Sequence, residues 1–418
     1  MSQVIVVGAG IAGLVAARRL VLGGREVMVL ESSDRAGGQL ARHTVGGLEL
    51  DVGADSFETR GGAVAQLAGR LGLGDDIVPP AELATWLFRA DGTAIPVPSA
   101  SLLGIPSVPL ARDVIDAIGL RAALRASLDL VLPATVGATA ASLSELVRRR
   151  MGRAVLERLV APTVRGVHSM SPDQLAPEQV SPALRAALRG EGSLSHAVAS
   201  ILASSTAGSQ VAGIRGGMVR LVDLLLADLD RFGVAMRFGV TLDDVTPDHV
   251  RMGGEVVRGE VVVAAPGVAA GRVPGRRVTV VTLVVDQPEL AAAPRDTGVV
   301  VESGTPGVGA RTLTHLTVKW PWLAEQAAGL QAMRLTYEGE VGDVERAVAD
   351  AGTLLGVSLT RPLDADMVTW ERAVPRTHAV DGMHYVGESG SGTGLAAVIA
   401  QAESEAERLL GGSPEAEG

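Results

Sequence analysis

The amino-acid sequence predicts an α/β fold with α+β parts, and three observations carry that reading. A buried-strand pattern runs through glycines into a helix at the start of the chain, helical spacing takes over between about 101 and 200, and strand patterns dominate 278 to 340. Val4, Ile5, Val6 and Val7 form a β-branched run of the kind buried on both faces of a parallel sheet. Gly8, Gly10 and Gly13 follow at G-x-G-x-x-G spacing ahead of a helix-forming stretch. Gly8 allows the tight turn, Gly10 lets the backbone approach a pyrophosphate, and Gly13 lets helix and strand pack closely. The phosphates then meet free amides at the helix N-terminus. A second apolar run, 27 to 30, ends in Glu31, at the offset of about twenty residues where a carboxylate accepts both ribose hydroxyls. An acid at that position argues against a ribose phosphate. The helix that would follow is replaced by SSDRAGGQLARHTVGGLELDVGADSF, a polar glycine-rich stretch that continues along a long ligand and favours FAD over NAD.

Further along, 61 to 78 reads as a helix closed by LGLGDD, and WLFRADGTAIPVP, 86 to 98, as a hairpin around an Asp-Gly turn. In the helical region Leu120, Leu124, Leu128 and Val131 fall on one stripe with Arg121 and Arg125 beside it, a pattern expected to pack into the core in preference to facing a membrane. The longest charge-free run, 192 to 214, is rich in Ser, Gly, Ala, Thr and Gln and reads as helix plus loop. GIRGGMVRLVDLLLADLDRFGV is a glycine turn feeding an amphipathic helix, followed by strands in VAMRFGVTLDDV and GEVVVAAPG, the latter fully buried. RRVTVVTLVV and THLTVKW belong to a second sheet, and the chain closes as strand, glycine turn and helix. The expected organisation is a Rossmann-like FAD-binding domain in three parts (1–85, 201–267 and 370–412), a mixed-sheet substrate domain (hairpin 86–100 and 268–369), an inserted helical domain (101–200) and a disordered tail (413–418).

With 418 residues, 47% of them hydrophobic, the chain has ample core for two or three domains. A net charge of −10 and a pI near 5.3 argue against a nucleic-acid surface, and any anionic substrate must meet a locally basic pocket. That pocket is arginine-built, because Lys319 is the single lysine among 37 basic residues. The absence of cysteine excludes disulfides, thiolate catalysis and cysteine-ligated metal centres. No metal-ligand cluster and no Ser-His-Asp set stands out, so no metal is expected. The first strand begins within a few residues of Met1 without a basic start or cleavage site, which predicts a cytoplasmic protein with at most peripheral membrane contact.

Together, VGAGIAGL, Glu31, DRAGG and the closing GTGLAAVI resemble the amine-oxidase-like flavoproteins. DVGADSFETRGG, VRRRMGRAVLERLVAPTVRGVHSMSPDQL, IRGGMVRLVDLL and WERAVP resemble, more narrowly, the flavin-containing protoporphyrinogen and coproporphyrinogen oxidases of haem synthesis. THLTVKWPWL is similar to the bacterial high-GC branch, whose members oxidise coproporphyrinogen III. The resemblance covers nearly the whole chain. It implies non-covalent FAD held by Gly8, Ala9, Gly10, Ile11, Ala12, Gly13, Glu31 and Ser32, with Gly38, Gln39, Arg42 and the run Gly53, Ala54, Asp55 and Ser56 leading toward the isoalloxazine. Leu242 would touch the adenine side, and Trp370, Thr393, Gly394 and Leu395 would complete the site. Two departures accompany it. Gln39 stands where the family carries Arg or Lys, so the positive charge facing the phosphates is either missing or supplied by Arg42. Only sixteen residues separate Trp370 from Gly387, where the family has a longer helical stretch.

The resemblance implies a porphyrinogen substrate that gives a hydride from a bridging carbon to flavin and a proton from a ring nitrogen, with dioxygen as the final acceptor and hand-over to a later haem-pathway enzyme left open. Arg60 and Arg165 are candidates for the substrate carboxylates, and His168 for the substrate wall. Protoporphyrinogen IX oxidation is an alternative. A flavin amine oxidase with Lys319 as the lysine beside the flavin is another, as is a non-catalytic flavoprotein that binds porphyrin.

Overall fold

The computed structural model describes residues 3–59, 61–168, 170–181, 183–204, 211–265, 268, 276–372, 382–388 and 394–411. The chain divides into two compact units: Met1–Pro80 with Ser209–Val278 and Thr369–Gly418, and Ala81–Gly208 with Thr279–Val368.

The first unit is built on a five-stranded parallel sheet, ordered Ala235–Arg237, Val27–Leu30, Val4–Val7, Glu260–Val263, His384–Tyr385. Val4 pairs with both Val27 and Glu260, so the opening strand is central, and its four residues are buried because the sheet is covered on both sides. On one face Val4, Val6, Val27 and Val29 join a core with Leu14, Ala17 and Leu20 of helix Ile11–Leu22, Leu221 and Leu225 of helix Arg220–Arg231, and Ile399 and Ala402 of helix Leu395–Gly411. On the other face Ile5, Val7, Met28 and Val261 meet Val250 and Met252 of a small antiparallel sheet, Asp244–Val245, His249–Met252 and Glu255–Arg258. Strand order runs outward from Val4–Val7 in both directions. The switch point of the topology therefore lies at the carboxyl end of that strand, where open α/β sheets bind ligands.

The second unit holds a seven-stranded mixed sheet, ordered Asp364–Arg372, Arg276–Val285, Gln331–Glu338, Thr312–His315, Gly298–Val301, Trp86–Phe88, Ala94–Pro96. It is mixed because Gly298–Val301 runs parallel to Trp86–Phe88 and antiparallel to Thr312–His315. Leu283, Leu313 and Leu335 pack one face against Ala347, Ala351 and Leu354 of helix Val344–Leu355. Leu87 and Val300 point the other way, into a core shared with the helices between Arg112–Ile118 and Leu194–Ser204. Those helices are pinned at their centre by a fully buried ion pair. The Arg150 guanidinium donates to Asp129 and to the carbonyls of Pro133, Val136 and Gly192, and the Asp129 carboxylate accepts from the Leu194 and Ser195 amides and the Ser195 hydroxyl. Every polar hand is met, the condition under which a buried pair is tolerated.

Two expectations need correction. The apolar stripe is not core: Leu120, Leu124, Leu128 and Val131 are 57, 50, 49 and 78% exposed. Helix Leu120–Ser127 buries Ala123 and Ala126 instead, because small side chains let it lie close to its neighbours. THLTVKW is strand only as far as His315 and then turns into the short helix Leu316–Lys319. Pro321, which has no amide for a ladder, opens the next helix, Pro321–Ala327.

Candidate functional site

The carboxyl edge of the parallel sheet gathers most of the residues singled out by sequence. Gly8 leaves the first strand with φ 105° and its amide donates to Leu30 O at 2.7 Å. A Cβ there would lie 2.9 Å from Ala265 N, and one on Gly13 would lie 1.9 Å from Gly8 O, so both glycines are required by close backbone approach. Gly10 differs. Its φ is −67° and a Cβ would meet nothing within 4 Å, so this position faces open space at the N-cap of helix Ile11–Leu22. That helix has no acidic residue in its first turn and no side chain capping it, which leaves its terminal amides and the positive end of its dipole for an anion.

Glu31 stands beside this turn. Its Oε2 accepts from Ala9 N at 2.7 Å, and its Oε1 accepts from Ser33 N and Ser33 Oγ at 2.9 Å and from Ser32 Oγ at 3.3 Å. Burial alone would raise its pKa, but the Ser33 and Ala9 amides and the serine hydroxyls outweigh it and hold the carboxyl below its ordinary value. It is thus an ionised, oriented acceptor at neutral pH. The loop at 239–240 closes against it, with Val240 N on Glu31 O and Gly239 N on Ser33 O, both at 2.9 Å, and Leu242 just beyond is half-buried on the core of the same sheet.

The paired glycines bring the next loop to the same place. Gly37 N donates to Ala9 O at 2.8 Å, and a Cβ on Gly38 would be 3.3 Å from Gly10 Cα. The exposed Arg35 ties the turn by donating to Ala36 O and Gly38 O. Gly53 is required by Gln39, whose carbonyl would lie 2.2 Å from a Cβ there. Ala54 is exposed, and Asp55 and Ser56 are half-buried between the hairpin Arg42–Val45/Leu48–Asp51 and the strand Phe57–Glu58. Arg42 points elsewhere, into an exposed ion pair with Asp223.

The last strand delivers a segment that sequence reasoning passed over. Val386 N donates to Val263 O, and Gly387 follows with φ 89°, its Cβ position 3.2 Å from Ala12 Cβ. Gln401 of the closing helix fixes this bend, accepting from Gly387 N at 3.1 Å and donating to Tyr385 O at 2.8 Å. Glu388 then accepts from Gln39 Nε2 at 3.4 Å, so the two ends of the chain meet beside the glycine turn. The legible signal was a short strand, HYV, running into Gly-Glu, a second strand-to-acid boundary after that at Leu30 and Glu31. Asp51 was also missed: it accepts from Met218 N and Val219 N and anchors the turn into helix Arg220–Arg231.

Other candidates are dispersed. Gly394 has φ 113° with open space at its Cβ position, and Leu395 begins the closing helix and packs on the core. Trp370 lies on strand Asp364–Arg372, its indole Nε1 buried with no partner among the described residues. In the second unit Arg165, on helix Ala161–His168, donates to Ser303 Oγ, and the Lys319 ammonium lies 5.1 Å from the Trp320 ring centroid. Arg60, Thr393 and the His168 side chain lie outside the described residues. Among the described residues no group of His, Asp or Glu is placed to hold a metal ion, and no helix is long and apolar enough to cross a membrane.

A turn whose middle glycine faces open space, an uncapped helix N-terminus and an ionised carboxylate across from it fit a dinucleotide with unphosphorylated ribose. A protein from Mycobacterium bovis called coproporphyrinogen III oxidase is 28% identical over 408 residues, covering 89% of this chain and 86% of that protein. One of the same name from Propionibacterium freudenreichii is 27% identical over 304 residues, 64% of this chain and 57% of the relative's length. Among solved structures, a candidate protoporphyrinogen oxidase from Exiguobacterium superposes with a TM-score of 0.81 at 20% identity, covering 98% of each chain, a likeness of fold. The model of the flavin-containing amine oxidoreductases matches residues 11–293, and the chain accordingly belongs to that family of FAD-dependent oxidoreductases.

Proposed function

We propose that this protein oxidises coproporphyrinogen III to coproporphyrin III, with non-covalently bound FAD and dioxygen as the acceptor. The observation that carries the cofactor half is the convergence of Gly10, Glu31 and Gly387 on the carboxyl edge of one parallel sheet. The relatives named coproporphyrinogen III oxidase support the substrate half. When bound, FAD supplies a hydride acceptor that oxygen can restore, and the six electrons lost by a porphyrinogen need three such cycles.

The chain's own residues bind, orient and exclude. In this reading the amides at Gly10–Gly13 hold the pyrophosphate, Glu31 Oε2 accepts the ribose hydroxyls, and Gly37, Gly38, Gln39, Gly53, Ala54, Asp55, Ser56, Leu242, Gly387, Glu388, Trp370 and the 393–395 turn line the remainder of the cofactor's path. Arg42, paired with Asp223, leaves Gln39 as the neutral group near the phosphates. The unit with the seven-stranded sheet and the helical segment 101–200 is assigned to the substrate, with Arg165 and Arg60 for its propionates, since guanidinium groups bind carboxylates in bidentate fashion. Absence of cysteine supports non-covalent attachment.

The test is anaerobic mixing of flavin-loaded protein with each reduced porphyrinogen, following flavin bleaching and porphyrin fluorescence, then admission of oxygen. Coproporphyrinogen III should bleach the flavin faster than protoporphyrinogen IX and release hydrogen peroxide. Equal rates would overturn the preference, and bleaching by a polyamine with neither porphyrinogen oxidised would assign the protein to amine oxidation.

A further inference from the structure

The seven-stranded sheet has one face that is only partly covered. Met333, Leu335 and Tyr337 of strand Gln331–Glu338 and Leu313 of strand Thr312–His315 go to the core against helix Val344–Leu355, so Thr312, Thr314, Arg334 and Thr336, which alternate with them, stand on the opposite face. Toward one side of that face Leu87 and Val300 are buried under the helical segment. At the middle of the sheet the cover ends, and Thr312, Thr314 and Thr336 are half-buried. Their hydroxyls make no hydrogen bond among the described residues. Thr282, flanked on its strand by Val281 and Leu283 of the other core, points the same way, and its buried Oγ1 also lacks a partner among the described residues. Apolar β-branched residues would fill a dry face at no such cost, so unpaired hydroxyls beside the buried Arg334 suit a polar occupant.

The register orders this face in two rows. Thr314 lies opposite both Gly298 and Arg334, and Thr312 opposite Val300 and Thr336. Gly298 contributes no side chain, which leaves space at one end of the Arg334 row. Arg165, on the helix packed beside strand Gly298–Val301, meets Ser303 just past the carboxyl end of that strand, whereas Arg334 lies level with its amino end. The two arginines therefore bracket the polar face, at least about 10 Å apart along the strands. The acids at the strand ends are engaged elsewhere: Glu338 pairs with Arg311, and Glu302 accepts from the Ala90 amide.

We propose that Arg334, seated beside Thr314, receives a carboxylate of the substrate and decides which porphyrinogen is preferred. This rests on the reaction proposed above. Anchors at opposite ends of one face need carboxylates on opposite edges of the macrocycle. Coproporphyrinogen III carries a propionate on each of its four pyrrole rings, whereas the two propionates of protoporphyrinogen IX lie on neighbouring rings, so only the first engages Arg165 and Arg334 together. The guanidinium fork takes both carboxylate oxygens, and the Thr314 hydroxyl adds a donor beside it.

Steady-state oxidation of both porphyrinogens by flavin-loaded variants tests this. Arg334→Gln should raise the KM for coproporphyrinogen III about tenfold and that for protoporphyrinogen IX less than about threefold. Thr314→Val, which keeps a β-branched strand residue, should raise the first severalfold. Binding of oxidised coproporphyrin III, followed by its fluorescence, should weaken in step, while binding of its tetramethyl ester should be the same for wild type and Arg334→Gln. Flavin absorbance and melting midpoint confirm folding, and if Arg334→Gln does not fold, Thr314→Val decides alone. Unchanged values for coproporphyrinogen III in the folded variants overturn this inference and leave the proposed reaction standing. An equal loss with both porphyrinogens also overturns it, because Arg334 then serves the flavin or the fold. Wild-type protein that oxidises neither porphyrinogen overturns the reaction and this inference together.

Discussion

Helices Ile11–Leu22 and Leu120–Ser127 both carry regular apolar spacing, yet they use it in opposite ways. The first buries Leu14, Val15, Ala17 and Leu20 against a sheet, directly after the glycine turn. The second buries only alanines and turns its leucines outward. Periodicity locates a stripe. Which side of the helix the core occupies depends on what packs there, and a sheet face leaves no choice where a bundle of short helices does.

The largest effect that would sharpen this contrast lies in the helical segment. Asp129→Ala strands Arg150 in a dry interior and should cost about 3–5 kcal/mol in denaturant unfolding. A loss under about 1 kcal/mol would mean that the alanine-lined interior, not this pair, holds the helices together.

The next concerns the sheet of the same unit. His315 is buried with Nε2 on Gln331 Oε1 at 3.0 Å, and burial lowers its pKa to about 4 from 6.5, only partly opposed by that hydrogen bond. The unfolded chain therefore takes up the proton first. Stability should fall by about 1.4 kcal/mol per pH unit as pH drops from 6.5 to about 4, roughly 3 kcal/mol in all, and level off below. His315→Gln should flatten that slope in a pH series of unfolding midpoints, and an unchanged slope would remove His315 as its source.

In the nucleotide unit, Glu31→Ala should weaken FAD by about 1.5–3 kcal/mol, measured by fluorescence titration, because a charge-assisted acceptor is removed. An unchanged dissociation constant takes Glu31 out of the site. The smallest effect on folding is the most discriminating. Gly10→Ala has an allowed φ and open space, so apo-protein stability should stay within about 0.5 kcal/mol while FAD affinity falls. Gly13→Ala, forced against Gly8 O, should lose both together. If Gly10→Ala instead destabilised the apo-protein, that glycine would serve packing like its neighbours.

Much of the candidate site's geometry was legible because its parts are local. Gly8, Gly10 and Gly13 sit in one turn, and Glu31 ends the adjacent strand, so spacing alone specifies their geometry. The hairpin at Trp86–Phe88 and Ala94–Pro96 was equally local, its Asp-Gly turn written between the strands. Long-range closure was not. Gln39 meeting Glu388, Asp51 anchoring the turn before helix Arg220–Arg231, and Gly387 resting near Ala12 each join segments far apart in the chain. No periodicity encodes such meetings.

By itself, then, the sequence determined the parallel sheet's buried strands, the glycine turn and its acid, and the absence of thiol chemistry, because each follows from backbone sterics, short-range spacing or composition. Only the tertiary structure decided that Arg42 pairs with Asp223, that Gln401 fixes the Gly387 bend, and that the leucine stripe of helix Leu120–Ser127 faces outward. Those outcomes depend on which distant surface meets each side chain, and it is Ala123 and Ala126 of that helix that lie in the core.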